Sequence, residues 1–265
     1  MSEYINLTPE NIEDEHLCCI IRSKTKHPGV EAKRQWLKER ITEGHVFRKL
    51  NVKGKVFVEY APLESAWTPI SGNNFLYIYC LWVSGSYSGK GFAKELLEYV
   101  IEEAKKKGKN GICTISSKKK KPFLSEKKFF VHHGFQVVDT IGDYELLSLS
   151  WNHQLPKFHD SARKMEIEDK EFTIFYCPAC PYVENGIHEI EEYAKEKNIP
   201  LNLIKIDTLE KAKQVPCIFN NWAFFLDGKF VSNTLLNQKS FMKIITKLYR
   251  LSCYFSDSNH VLFMA

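Results

Sequence analysis

At 265 residues the chain has room for one large domain or two of ordinary size. An apolar fraction of 44% with 13% aromatics is enough to build cores, and no apolar run reaches the ~18 residues a membrane span needs, so no membrane partner is expected. The net charge of +5 comes largely from lysine runs at 105–107 and 118–121, which read as solvated faces; without interleaved aromatics or a known motif they do not read as a nucleic-acid surface. The acidic, polar start of the chain is unlike a secretory signal. A cytoplasmic setting follows as the expectation, and there most of the eight cysteines stay free thiols.

Residues 4–7 read as a short strand. Residues 10–22 read as a helix with Ile12, Leu17, Ile20 and Ile21 on one face and Cys18 and Cys19 as small helix residues. Pro28 and Gly29 break the chain before a second helix over 30–43, with Trp36, Leu37 and Ile41 inward. Strands at 45–50 and 55–61 form a hairpin, and 62–74 is a loop. A long apolar strand follows at 75–83, then the small-residue turn Ser84-Gly85-Ser86-Tyr87-Ser88-Gly89-Lys90-Gly91. The next helix opens near Phe92, buries Leu96, Leu97 and Val100, and stops at Gly108. A strand at 111–116, a helix over 122–133 and strands at 136–139 and 144–151 complete this part.

The turn at 84–91 is the most informative stretch. Glycines let the backbone approach a ligand closely, and the first amides of a helix lack partners and carry the positive end of its dipole. Strand, glycine turn and helix start together make a socket for phosphate or pyrophosphate. Neither G-x-G-x-x-G nor G-x-x-x-x-G-K-[ST] is present. Ser88-Gly89-Lys90-Gly91-Phe92-Ala93 resembles the pyrophosphate loop of the GNAT acetyltransferases, [QR]-x-x-G-x-[GA], with Ser88 standing where Gln or Arg is usual. The element order over residues 1–151 is also similar to that family's.

The resemblance implies a mixed sheet flanked by helices and acetyl-CoA as cofactor. Its pantetheine arm would pair near Leu81 and Val83, and its diphosphate would lie on Ser88, Gly89, Lys90, Gly91, Phe92, Ala93 and Lys94. It implies N-acetyl transfer to an amine of a small molecule or peptide, with the first two helices and their connection bordering the acceptor. Phe130 stands where the family often places a tyrosine acid, and phenylalanine cannot donate a proton. Amine attack on a thioester needs a base. Glu59, Glu64, Tyr79 and Cys80 are candidates, but spacing fixes none; Tyr79 and Cys80 read as core or strand-face residues and Glu59 as a solvated strand residue. His132 and His133 read as structural, at a helix end that favours cations.

Residues 152–170 read as a polar linker to a second domain over 171–265. There a strand at 171–176 meets Cys177-Pro178-Ala179-Cys180, and a helix follows with Val183, Ile187 and Ile190 inward. A strand at 201–206, Val215-Pro216, strand-like runs at 217–219 and 223–226, a hairpin at Asp227-Gly228 and a last helix over 238–251 follow. C-x-x-C after a strand and at a helix start is a thiol redox arrangement, in which the helix would lower the Cys177 pKa and Cys180 would resolve a mixed disulfide. Zinc is weak, because no second pair is spaced for it. This half resembles the thioredoxin-like fold, which implies a cis Pro216 against the cysteines. With the stretch 221–230, the whole chain resembles YoaP-type GNAT proteins. Two functions stand: an acetyl-CoA-dependent N-acetyltransferase whose second domain binds or redox-gates the acceptor, or a thiol oxidoreductase or thiol-ligand binder with a degenerate acetyltransferase domain.

Overall fold

The computed structural model describes residues 3–20 and 27–246. In chain order the first part runs β1 (Tyr4–Asn6), α1 (Pro28–Thr42), β2 (Val46–Leu50), β3 (Val56–Pro62), β4 (Ile70–Ser71), β5 (Phe75–Val83), α2 (Phe92–Lys106), β6 (Gly111–Ser117), α3 (Lys127–His132), β7 (Gln136–Ile141) and β8 (Tyr144–Ser150). The remainder is β9 (Lys157–Phe158), β10 (Phe172–Tyr176), α4 (Tyr182–Glu196), β11 (Leu201–Lys205), α5 (Leu209–Gln214), β12 (Trp222–Leu226) and β13 (Lys229–Ser232). Residues 238–246 are helical, and this helix is α6. The expected continuation to residue 251, and Cys253, lie outside the described residues.

Seven strands form one sheet in the order β1-β2-β3-β5-β6-β8-β7. All neighbours are antiparallel except β5 and β6. Period-2 alternation decides what each face buries. Val56, Val58, Tyr60, Leu76 and Ile78 point to one side and meet Leu96, Leu97 and Val100 of α2 and Phe130 of α3. On the other side Phe47 and Phe57 meet Trp36 and Leu37 of α1.

The second sheet has the order β11-β10-β12-β13, with β10 and β11 parallel and the other pairs antiparallel. It is buried on both faces. Ile174 and Phe224 pack on α4 and α6, through Val183, Ile187, Ile190, Phe241 and Ile245. Phe175, Ala223 and Phe225 belong to the same apolar cluster as Trp36, Phe47, Phe57 and Trp67 of the first part. The two halves therefore share a core. At the β12–β13 turn Asp227 (φ 49°) and Gly228 (φ 73°) both lie in the left-handed region, as a type I′ hairpin requires.

Five expectations are corrected. The helix over 10–22 does not form in its described part; residues 9–14 make turns. Thr8 and Asn11 exchange side-chain bonds with each other's backbone amides, and Asn11 Nδ2 donates to the Asn6 carbonyl, which compete with helix propagation. Ile12 and Leu17 are buried all the same. The helix over 122–133 is shortened to α3, because Phe123 adopts φ 63° and Ser125 is tied to Thr114 and Ser116 of β6. The segment 152–170 is not a free linker: β9 pairs with β4, Phe158 and Ala162 are fully buried, and Arg163 holds Asp139 at 2.5 Å. The run 217–219 forms no strand; the Phe219 and Pro216 carbonyls accept bonds from Thr68 Oγ1 and the Met165 amide, and α5 stands just before it. No peptide bond among the described residues is cis, so Pro216 is trans.

Candidate active site

Strands β5 and β6 pair only over Phe75–Tyr77 and Gly111–Cys113. Beyond that point the ladder stops, and the Thr114 hydroxyl donates to the Ile78 carbonyl at 2.9 Å. The two strands part toward Val83 and the glycine turn. On its other edge β5 stays paired with β3, Leu81 opposite Val58 and Val83 opposite Val56. Glu59 faces Cys80 while Tyr60 faces Ile78, so Tyr79 is the extra residue of a bulge with no partner across the ladder. Leu81 and Val83 thus sit half-buried on a strand with one free edge.

The turn after β5 is exposed at Ser88, Gly89, Lys90 and Gly91. Gly89 and Gly91 take φ 74° and 87°, and a Cβ built on either meets nothing within 4 Å. Gly91 is the N-cap of α2, with no side-chain cap, and its carbonyl accepts the Glu95 amide. The amides of Phe92, Ala93 and Lys94 in the first turn are left for a ligand. Lys94 pairs only loosely with Glu98, at 3.6 Å, with both side chains exposed. Open space, bare amides and a helix dipole fit a diphosphate.

Behind the bulge lies a buried charge cluster that sequence reading missed. Lys33 of α1, 3% exposed, donates to Glu59 at 2.6 Å, and Glu59, 2% exposed, accepts from His45 at 3.0 Å. Glu59 is therefore no solvated strand residue. Burial acts to raise its carboxyl, but Lys33 and His45 outweigh it and hold it below the ordinary range. Burial likewise acts to lower Lys33, and Glu59 reverses it, so the ammonium is raised. Of the remaining candidate bases, Cys80 is a free thiol that burial holds above its ordinary value, and the other two are engaged. Glu64 accepts from the Asn74 amide, and Tyr79 Oη accepts the Trp67 amide at 2.6 Å, its pKa raised well above the ordinary value by burial. Phe130 is core.

Both cysteines of C-x-x-C precede α4, which starts at Tyr182. Cys177 is fully buried, its amide bonded to the Asn221 carbonyl, and Cys180 is half-buried. The expected lowering is reversed: burial pushes both thiols up to about 12. The chain brings the pair against the first half, beside Lys33, Cys18 and Cys19.

A cavity of about 700 Å³ opens between these parts. Cys19, Ile20 and His27 form one wall, the β2–β3 turn at 53–55 a second, and residues 84–87 a third. Tyr182 of the C-terminal half lines it as well. Asn185 donates to His27 Nε2 at 3.0 Å, and Gly29 lets α1 approach Pro181 so closely that a Cβ would stand 1.8 Å from its carbonyl oxygen. No metal-binding group of three or more ligands occurs among the described residues. No helix among them is long and apolar enough to cross a membrane.

Residues 10–135 match the model of the acetyltransferase (GNAT) family, and the chain belongs to that family of N-acetyltransferases, whose cofactor is acetyl-CoA. Residues 200–243 match a second model, described as YoaP-like. Over 248 residues, 92% of this chain and 99% of the relative, it is 40% identical to the uncharacterized N-acetyltransferase YoaP of Bacillus subtilis (strain 168). Among solved structures it is similar to the PaiA N-acetyltransferase of Thermoplasma acidophilum in complex with coenzyme A. There the identity is 17% and the TM-score 0.40, covering 57% of this chain and 99% of that one. A GNAT family acetyltransferase of Brucella melitensis, in complex with acetyl-CoA, is 9% identical with a TM-score of 0.39, covering 60% of this chain and 93% of that one.

Proposed function

We propose that the protein transfers the acetyl group of acetyl-CoA to an amine of a small molecule or peptide held in the cavity between its two halves. The uncapped start of α2, at the end of a strand that parts from its neighbour, carries this reading. The amides from Gly89 to Lys94 hold the diphosphate, and the free edge of β5 through Leu81 and Val83 takes the pantetheine arm. Acetyl-CoA supplies a thioester carbonyl there. The bulge at Tyr79 frees backbone beside that edge, the position from which an amide can stabilise the developing oxyanion. As the carbon–nitrogen bond forms and the carbon–sulfur bond breaks, the amine gives up a proton and the thiolate gains one. With Phe130 in the core and Glu59 and Glu64 engaged, water is the relay for both.

We assign the C-terminal half a thioredoxin-like fold on its β-α-β-α-β-β-α order and on a sheet in which the first strand is central and parallel to the second. Its role in this reading is to complete the acceptor site through Tyr182, not to turn over disulfides, since burial disfavours both thiolates. Calorimetric titration with acetyl-CoA tests the proposal. Wild type binds saturably, Gly91→Glu does not, and Gly91→Ala, which carries the same backbone strain without the charge, retains binding. Saturable binding unchanged in Gly91→Glu, or none in wild type, overturns it.

A further inference from the structure

We propose that the amine acceptor carries an anionic group, a carboxylate or a phosphate, and that Lys53 and Lys55 bind it; this rests on reading the cavity as the acceptor site. Among the described residues, the only formally charged side chains lining the cavity are these two lysines, and no carboxylate lines it. Most buried or half-buried cations elsewhere in the first half have carboxylate partners: Lys33 with Glu59, Lys49 with Glu15, Lys127 with Glu145. Among the described residues Lys53 and Lys55 have none. Two uncompensated ammonium groups on a concave wall raise the local concentration of anions and repel polycations.

The turn that carries them is held in place. The Ser84 amide donates to the Lys55 carbonyl at 3.0 Å. Gly54 is buried against the Tyr87 ring, where a Cβ would stand 2.4 Å from the nearest ring carbon. The lysine stems therefore start from a fixed backbone beside the end of β5. Serine hydroxyls at 84 and 86 and the Tyr182 phenol add neutral hydrogen-bonding groups to the same wall. A volume of about 700 Å³ accommodates a small molecule.

The test is binding of β-alanine, phosphoethanolamine, propylamine and spermidine to the full-length protein saturated with coenzyme A, followed by calorimetry. One or both anionic amines bind at least roughly tenfold more tightly than propylamine, and spermidine binds weakest. Comparing the first two distinguishes carboxylate from phosphate. In the Lys53→Gln/Lys55→Gln double variant the anionic advantage collapses, while acetyl-CoA affinity, measured separately, holds. Equal binding of all four, no binding of any, or preference for spermidine overturns the proposal. So does a double variant that loses acetyl-CoA affinity while keeping amine selectivity, since the lysines then serve the cofactor. Failure of acetyl-CoA to bind wild type is a different result and overturns the acetyl-transfer reading itself.

Discussion

Removing either partner of the Lys33–Glu59 pair strands the other as a buried, unpaired charge. Both side chains are nearly inaccessible, and Lys33 also lies over the Phe47 ring at 5.5 Å. Breaking such a pair from one side costs about 3–5 kcal/mol, whereas apolar or neutral replacement of both is close to neutral. Glu59→Gln and Lys33→Met should therefore each lower the urea midpoint at constant slope. At about 2–4 °C per kcal/mol, each should lower the melting temperature by roughly 6–20 °C. The double variant should recover much of that, giving a coupling energy of about 2 kcal/mol or more. The pH dependence follows from the directions of the shifts. The Glu59 contribution is complete above its ordinary value of 4.5 and fades as acid protonates the depressed carboxyl. The Lys33 contribution is complete below its ordinary value of 10.5 and fades as base passes through its raised value. The stability of wild type relative to the double variant is thus flat between those limits and falls outside them. Single variants that cost less than about 1 kcal/mol, or effects that add without coupling, would refute the buried pair.

Phe158→Ala should destabilise by about 3–5 kcal/mol, because the ring is fully buried and leaves a cavity; a change below about 1 kcal/mol in chemical denaturation would show that 152–170 is a linker after all. Gly29→Val should force α1 away from Pro181 and open the contact between the halves, seen as new proteolytic cleavage between residues 150 and 182 under native conditions; an unchanged digestion pattern would contradict the close approach. In the reduced protein at neutral pH, alkylation followed by mass spectrometry should, among the cysteines of the described residues, modify Cys19 first and Cys177 and Cys180 slower by roughly a hundredfold or more, as thiols pushed up to about 12 carry little thiolate. Finding Cys177 most reactive would restore the redox reading.

The strands and the glycine turn were legible because their signals are local. The apolar run 75–83, the positive-φ glycines and the amphipathic face of α2 each depend on neighbours within a few residues, and the structure places them within one residue of the expectation. The failures share a cause. Residues 10–20 have apolar residues at helical spacing, but Thr8 and Asn11 compete for the backbone and Arg34 donates to the Ile12 carbonyl, so distant partners decide the path. The 152–170 segment reads as a linker because its buried residues, Pro156, Phe158, Ser161 and Ala162, are scattered through a polar stretch, and the strand β4 that pairs with it has two residues. The cavity wall was illegible for the same reason: Cys19, Lys53, Ser84 and Tyr182 are scattered along the chain.

One clue to the shared core was present in the sequence. Lys33 falls between Val30 and Trp36-Leu37 on the apolar face of α1, where a lysine is costly unless something across from it carries the opposite charge. A buried lysine at that register demands an inward carboxylate on the facing strand, and Glu59, with apolar neighbours on both sides, is the residue that meets it. Helix α1 then faces two ways. It covers the sheet with Trp36, Leu37 and Lys33, and its first turn meets α4 at Gly29. One helix therefore packs against both halves. The cavity is accordingly formed at a seam between the halves, with Tyr182 brought to the GNAT sheet by the same contact that buries Gly29.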